Sequence, residues 1–164
     1  MTSEWVLLSY RMPREPSSPR IAVWRGLERL GVARLGDGLV ALPADARTRE
    51  QLEWAAEQVT EGGGTATVWL GRPASSAQER EIVAAMVKAR SDEYSAIALE
   101  AQSARRGDTA TRTATLRRLR GELRRVSRRD YFPPPERDVA QAALSALAAS
   151  VEGADALVSE EERT

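Results

Sequence analysis

"VARLGDGLVALPA", residues 32–44, decides the fold. Two short apolar runs flank Gly36-Asp37-Gly38, and glycine beside aspartate is what a tight turn with positive φ requires. The stretch reads as a β-hairpin, and both of its neighbours read as helices. Upstream, "SSPRIAVWRGLERLG" (17–31) offers Ser17 or Ser18 as N-cap and places Pro19 in the first helical turn. Ile21, Trp24, Leu27 and Leu30 recur there at helical spacing until Gly31 stops the run. Downstream, Thr48 with Gln51 three residues on has the form of a capping box. Leu52, Ala55, Ala56 and Val59 then share one face, and Gly62-Gly63-Gly64 ends the helix. That glycine run is followed by neither Lys-Ser/Thr nor a helix, so it is a turn and not a phosphate loop.

Beyond the helices lie two more strands. "EWVLLSY" (4–10) is a short apolar run stopped by Pro13 and Pro16, and "TATVWLG" (65–71) is its counterpart. The order is strand, helix, strand, strand, helix, strand. This is the ferredoxin-like βαββαβ motif, in which two helices cover one face of a four-stranded antiparallel sheet. An α+β protein is expected, with that domain in residues 1–72.

From Ala74 onward the pattern is helical only. Residues 77–105 bring Val83, Val87, Tyr94, Ile97 and Ala101 near one face. Asp108 or Thr109 can cap the next helix, where Leu116, Leu119, Leu123 and Val126 fall at spacings of three, four and three. Such a seam predicts an antiparallel helical hairpin. Pro133, Pro134 and Pro135 break it. A third helix, 136 to about 151, is expected to bury Val139, Ala143, Leu147 and Val151. The helical domain is thus 73–151, and the acidic tail 152–164 has nothing to bury and reads as disordered.

Composition narrows the chemistry. An apolar share of 42% and a charged share of 29% are those of a folded chain. No unbroken apolar run approaches the roughly 20 residues of a membrane span, and no basic-then-apolar leader opens the chain; a cytoplasmic protein without membrane contact is expected. Histidine and cysteine are absent and Lys88 is the single lysine. Disulfides, thiolate or Ser-His nucleophiles and zinc, haem or iron–sulfur sites are excluded. No cofactor, no metal and no catalytic residue is expected.

A net charge of zero conceals a strong asymmetry. Lys and Arg against Asp and Glu count 12 to 14 in residues 1–104, 10 to 2 in 105–129, and 2 to 8 in 130–164. In the basic stretch the apolar seam takes the inner face. Arg117, Arg120, Arg124 and Arg128 then form one outer stripe, and Arg118, Arg125 and Arg129 another. This is a surface for a phosphate backbone, and no helix-turn-helix signature or RNA-binding aromatic motif accompanies it. The competing reading is internal: pairing with Glu79, Glu81, Asp92, Glu93 and Glu100 of the preceding helix, or shielding by the acidic tail. A second basic group, Arg11, Arg14, Arg20 and Arg25, surrounds the first strand-to-helix turn. There guanidinium groups and free helix N–H groups both favour an anion, unless Glu15 or Glu28 neutralises them. The four tryptophans, Trp5, Trp24, Trp54 and Trp69, all sit on core elements and read as packing.

The opening strand resembles that of the small CRISPR-associated nuclease of spacer acquisition, where an aspartate precedes Ile-Pro. Here the tetrapeptide is Tyr10-Arg11-Met12-Pro13, and an arginine stands where that metal would need a carboxylate. A broader resemblance, over residues 4–133, is to the N-terminal domain of the chromate-resistance ChrB family. It is carried by "WVLLSYRMPREPSSPRIAVWRGLERLGV", "DGLVALPA", "TREQLEWAAEQVTEGGGTATVWLG", "DEYSAI" and "RRDYFP". It implies a regulatory module linked to chromate resistance or to chromate-responsive regulation. In that family a larger C-terminal domain follows, and this chain stops where it would begin. A separate protein of the ChrB C-terminal type is therefore an expected partner. Taken with the charge map, the expectation is a non-enzymatic, nucleic-acid-binding regulatory domain that binds DNA. Open ferredoxin-like sheets often pair, so a homodimer is also expected. The alternatives are a protein-interaction module presenting a basic helix, or a divergent nuclease using Glu15 with Asp37 or Asp45.

Overall fold

In the computed structural model, which describes residues 2–163, the hairpin closes where its glycines stand. Strand β2 (Ala33–Gly36) returns as β3 (Leu39–Pro43), and Gly38 takes φ 70°, a conformation that side chains resist. Its carbonyl accepts from the Tyr10 N–H at 2.8 Å, which ties the turn to the end of β1 (Trp5–Arg11). A Cβ at Gly38 would collide with the Tyr10 carbonyl oxygen.

β4 (Thr65–Gly71) completes an antiparallel sheet of order β2-β3-β1-β4. With α1 (Ser17–Leu30) and α2 (Ala46–Glu61), the order is β1-α1-β2-β3-α2-β4, the ferredoxin-like arrangement of an α+β fold. Register places Val6 beside Leu42, and Leu8 between Val40 and Val68. Period two sends these residues to one face, where α1 contributes Val23 and Leu27 and α2 contributes Leu52 and Val59. All of these except Val68 are fully buried, each worth about 1.5–3 kcal/mol relative to exposure.

Several expectations shift here. Asp45, not Thr48, caps α2: its carboxylate accepts from the Thr48 N–H at 2.7 Å. Thr48 is the third helical residue, and its buried hydroxyl donates to the Pro43 carbonyl at 2.6 Å. The box is real but begins three residues earlier. In α1 no side chain caps the first turn, and Val23 rather than Ile21 joins Leu27 in the core. Trp5 is buried, but Trp54 and Trp69 are 62% and 54% exposed. A period-two strand in a sheet covered by helices on one side must turn half its residues the other way. Leu7, Leu39 and Trp69 lie on that opposite face, and Trp69 is fixed by its Nε1 donating to Ser9 Oγ at 2.8 Å.

The Asp45 cap makes a pH-dependent prediction. The Thr48 N–H holds this carboxyl below its ordinary range, so folding favours the ionised form. The cap's contribution is complete above the unfolded carboxyl's titration, and it is lost as pH falls through the lower folded value. Asp45→Ala should cost about 0.5–2 kcal/mol near neutrality, with a smaller difference from the parent in strong acid. Urea unfolding at the two pH values checks this.

Helix α3 (Ser76–Ala104) begins against β1: Glu79 Oε1 accepts from Trp5 Nε1 at 2.9 Å and from the Ser3 N–H at 2.7 Å. The chain divides into two compact units, Met1–Met86 and Val87–Thr164, so the division falls inside α3 and not in the loop after β4. The second unit holds the rest of α3, α4 (Thr109–Arg128) and α5 (Glu136–Glu161). Asp108 caps α4, accepting from the Thr111 N–H at 2.8 Å. Tyr94, Ile97 and Ala101 of α3 meet Leu116, Leu119 and Val126 of α4, with Leu123 packed against the cluster. The seam faces inward as its spacing requires.

In α5 the buried stripe is Ala140, Ala143, Leu144 and Leu147, while Val139 is exposed. The stripe is one residue out of the expected register at its start, with Ala140 and not Val139 in the core. The helix also does not end near Val151. It runs to Glu161, so most of the segment expected to be a disordered acidic tail is helical. Alanine, leucine and glutamate carry high helix propensity there, and that outweighs the lack of anything to bury. By length and composition alone α5 could cross a membrane, its most apolar window averaging a hydropathy of 1.3. A criterion of unbroken apolar runs does not detect it.

Candidate anion-binding groove and basic helix

Three local structures build a groove in the first unit. The end of β1 supplies Tyr10 and Arg11. The following turn supplies Met12 and Arg14, and α1 supplies Arg20, Ile21, Trp24 and Arg25. The opposite wall is the hairpin, with Arg34, Asp37 and Gly38, and the volume is about 930 Å³. All four arginines singled out around the strand-to-helix turn thus line one concavity.

Sequence reasoning missed the fifth, Arg34, because it arrives from β2 only when the sheet forms. Its guanidinium lies 5.2 Å from the centre of the Trp24 ring, a cation–π arrangement. It also donates to Asp37 at 2.7 Å, across an exposed hairpin. Among the described residues Arg11, Arg14, Arg20 and Arg25 form no ion pair, although Glu28 also lines the groove. Five guanidinium groups against two carboxylates leave a net positive concavity. Burial pushes the pKa of the Tyr10 hydroxyl up.

On α4 the two stripes separate in behaviour. Arg118 pairs with Glu100 across the helical hairpin and lies 3.6 Å from Glu122. The Glu100 carboxylate raises the pKa of Arg118. Arg129 pairs with Glu93 at 2.6 Å, and its carbonyl accepts from Arg90 at 3.2 Å. Internal pairing therefore accounts for Arg118 and Arg129. It does not reach Arg117, Arg120, Arg124, Arg125 or Arg128, all exposed and in no ion pair among the described residues. Glu152 of α5 shares a shallow depression of about 430 Å³ with Arg120 but forms no ion pair with it.

The carboxylates considered for a nuclease are engaged or scattered. Asp45 caps α2 and Asp37 pairs with Arg34, while Glu15 is exposed in the turn. Among the described residues no three carboxylates gather as metal ligands would.

Comparison with known proteins places this architecture. The family described as "Protein ChrB, N-terminal" matches residues 20–105, more than half of the chain. The chain belongs to the ChrB N-terminal family. Over 133 residues it is 30% identical to Protein ChrB of Cupriavidus metallidurans, an overlap of 79% of this chain. That overlap is 40% of the relative, so the chain spans well under half of the curated protein it matches. No solved structure matches. The ChrB-family segment runs from α1 through α3 and includes Arg20, Arg25 and Arg34 of the groove. The α4 arginines lie outside it.

Proposed function

We propose that this ChrB-family chain is a non-enzymatic regulatory module linked to chromate resistance or its regulation, and that it grips nucleic acid with α4. The observation that carries this reading is the outer stripe Arg117, Arg120, Arg124 and Arg128. It is solvent-exposed along about three helical turns, with no carboxylate of the described residues paired to it. Phosphate backbones reward such a stripe through counterion release. No Asn or Gln lies between Arg105 and Arg129 to read adenine edges, and a stripe of arginines running along one helix face suits tracking of the phosphate backbone better than readout of bases. On this reading the protein works in the cytoplasm, away from membrane.

Fluorescence anisotropy of a labelled duplex tests it. Binding at low salt that weakens steeply as salt rises, with the DNA left intact in the presence of magnesium, is the expected result. Absence of binding at low salt, together with stoichiometric capture of an acidic protein, would transfer α4 to a protein-interaction role. A separate protein of ChrB C-terminal type is the partner to try first. Magnesium-stimulated cleavage that survives purification would restore the nuclease.

The same proposal includes a homodimer formed through the sheet face opposite α1 and α2. Leu7, Leu35, Leu39 and Trp69 line an apolar groove of about 710 Å³ there. Sedimentation velocity should read a dimer, and Trp69→Lys should shift it to monomer, because an ammonium placed at such a face must be desolvated. A parent protein that sediments as a monomer at high concentration overturns this part.

A further inference from the structure

The five-arginine groove is not used by the α4 reading, and its chemistry points to a different ligand. We propose that it is a binding site for a small molecule carrying several linked phosphates. Among the described residues Arg11, Arg14, Arg20 and Arg25 have no ion-pair partner, although Glu28 and Asp37 stand in the same walls. Unpaired guanidinium forks are matched by tetrahedral oxyanions, which accept two parallel N–H bonds from each.

Size selects within that class. A concavity of about 930 Å³ is of the order that drug-sized ligands fill, and a single oxyanion would touch only part of its wall. The arginines also come from four places, namely β1, the turn, α1 and β2. A chain of phosphates can meet several of them at once. Tyr10, Ile21 and Trp24 supply an apolar wall on which an organic group attached to the phosphates can rest. The Arg34 guanidinium lies over the Trp24 ring.

Isothermal titration of the full chain with inorganic tripolyphosphate and, separately, with ATP tests the site. One equivalent of tripolyphosphate should bind. Arg20→Ala combined with Arg25→Ala should weaken it by about tenfold or more per arginine, at least one charge-assisted hydrogen bond being removed with each. Both residues are exposed on α1, so the double variant should keep the parent's circular dichroism. The triple variant Arg117→Ala, Arg120→Ala, Arg124→Ala should bind tripolyphosphate as the parent does. That separates this site from the DNA surface, which can fail or succeed independently. ATP binding more tightly than tripolyphosphate would assign the apolar wall to its base, and equal affinities would assign binding to the phosphates alone; both support the site. It is overturned if tripolyphosphate fails to bind at about millimolar concentration, or if binding survives in the double variant. Displacement of tripolyphosphate by a glutamate peptide of equal charge would also overturn it, in favour of an acidic protein segment.

Discussion

Neutralising Arg117, Arg120 and Arg124 together should flatten the dependence of duplex DNA affinity on salt by about two to three units of log affinity against log salt. Each phosphate no longer neutralised by an arginine removes about 0.9 of that slope. The three are chosen because they share the stripe that internal pairing leaves open, whereas Arg118 and Arg129 hold α4 to α3 through Glu100 and Glu93. Changing those two would mix an effect on DNA binding with an effect on the helical hairpin itself. The effect of the triple change should be equal on random and selected sequences, because backbone contacts carry no sequence information. A triple variant that titrates as the parent does would show that the stripe is merely solvated.

Leu119→Ala should cost about 2–5 kcal/mol, the range for removing a fully enclosed leucine side chain. Leu119 is 0% exposed and lies in the cluster built from Tyr94, Ile97 and Ala101 of α3 and Leu144 and Leu147 of α5. Truncation therefore leaves a cavity lined by three helices. Arg117→Ala, two residues away on the exposed stripe, should change stability little. Denaturant unfolding of the two variants side by side checks the pair. A loss below about half a kcal/mol at Leu119 would mean that the seam does not close.

How much of the fold is legible in the chain depends on how local the cause is. The hairpin can be read because Gly36-Asp37-Gly38 sets its own backbone, and the α4 seam because four apolar residues at helical spacing can face only one way. The capping box of α2 reads three residues late, since Asp45 and Thr48 are both good caps and only the bond from the Thr48 N–H distinguishes them. Trp54 and Trp69 read as core because their helix and strand are core elements, yet both stand in solvent. Which side of an element meets the core depends on partners distant in sequence.

The two basic sites divide in the same way. The ten arginines between Arg105 and Arg129, and the direction in which the α4 stripes point, follow from composition and a 3.6-residue period. Which of those arginines remain unpaired was decided by α3, whose Glu93 and Glu100 reach Arg129 and Arg118 from 36 and 18 residues away. Four arginines of the groove lie within 15 residues of one another and could be grouped by eye. The fifth, Arg34, joins them because β2 returns alongside α1, and it brings both the cation–π contact to Trp24 and the wall that makes the cluster concave. Charge and periodicity are properties of neighbours along the chain. Pairing and concavity belong to residues that only the folded chain makes neighbours.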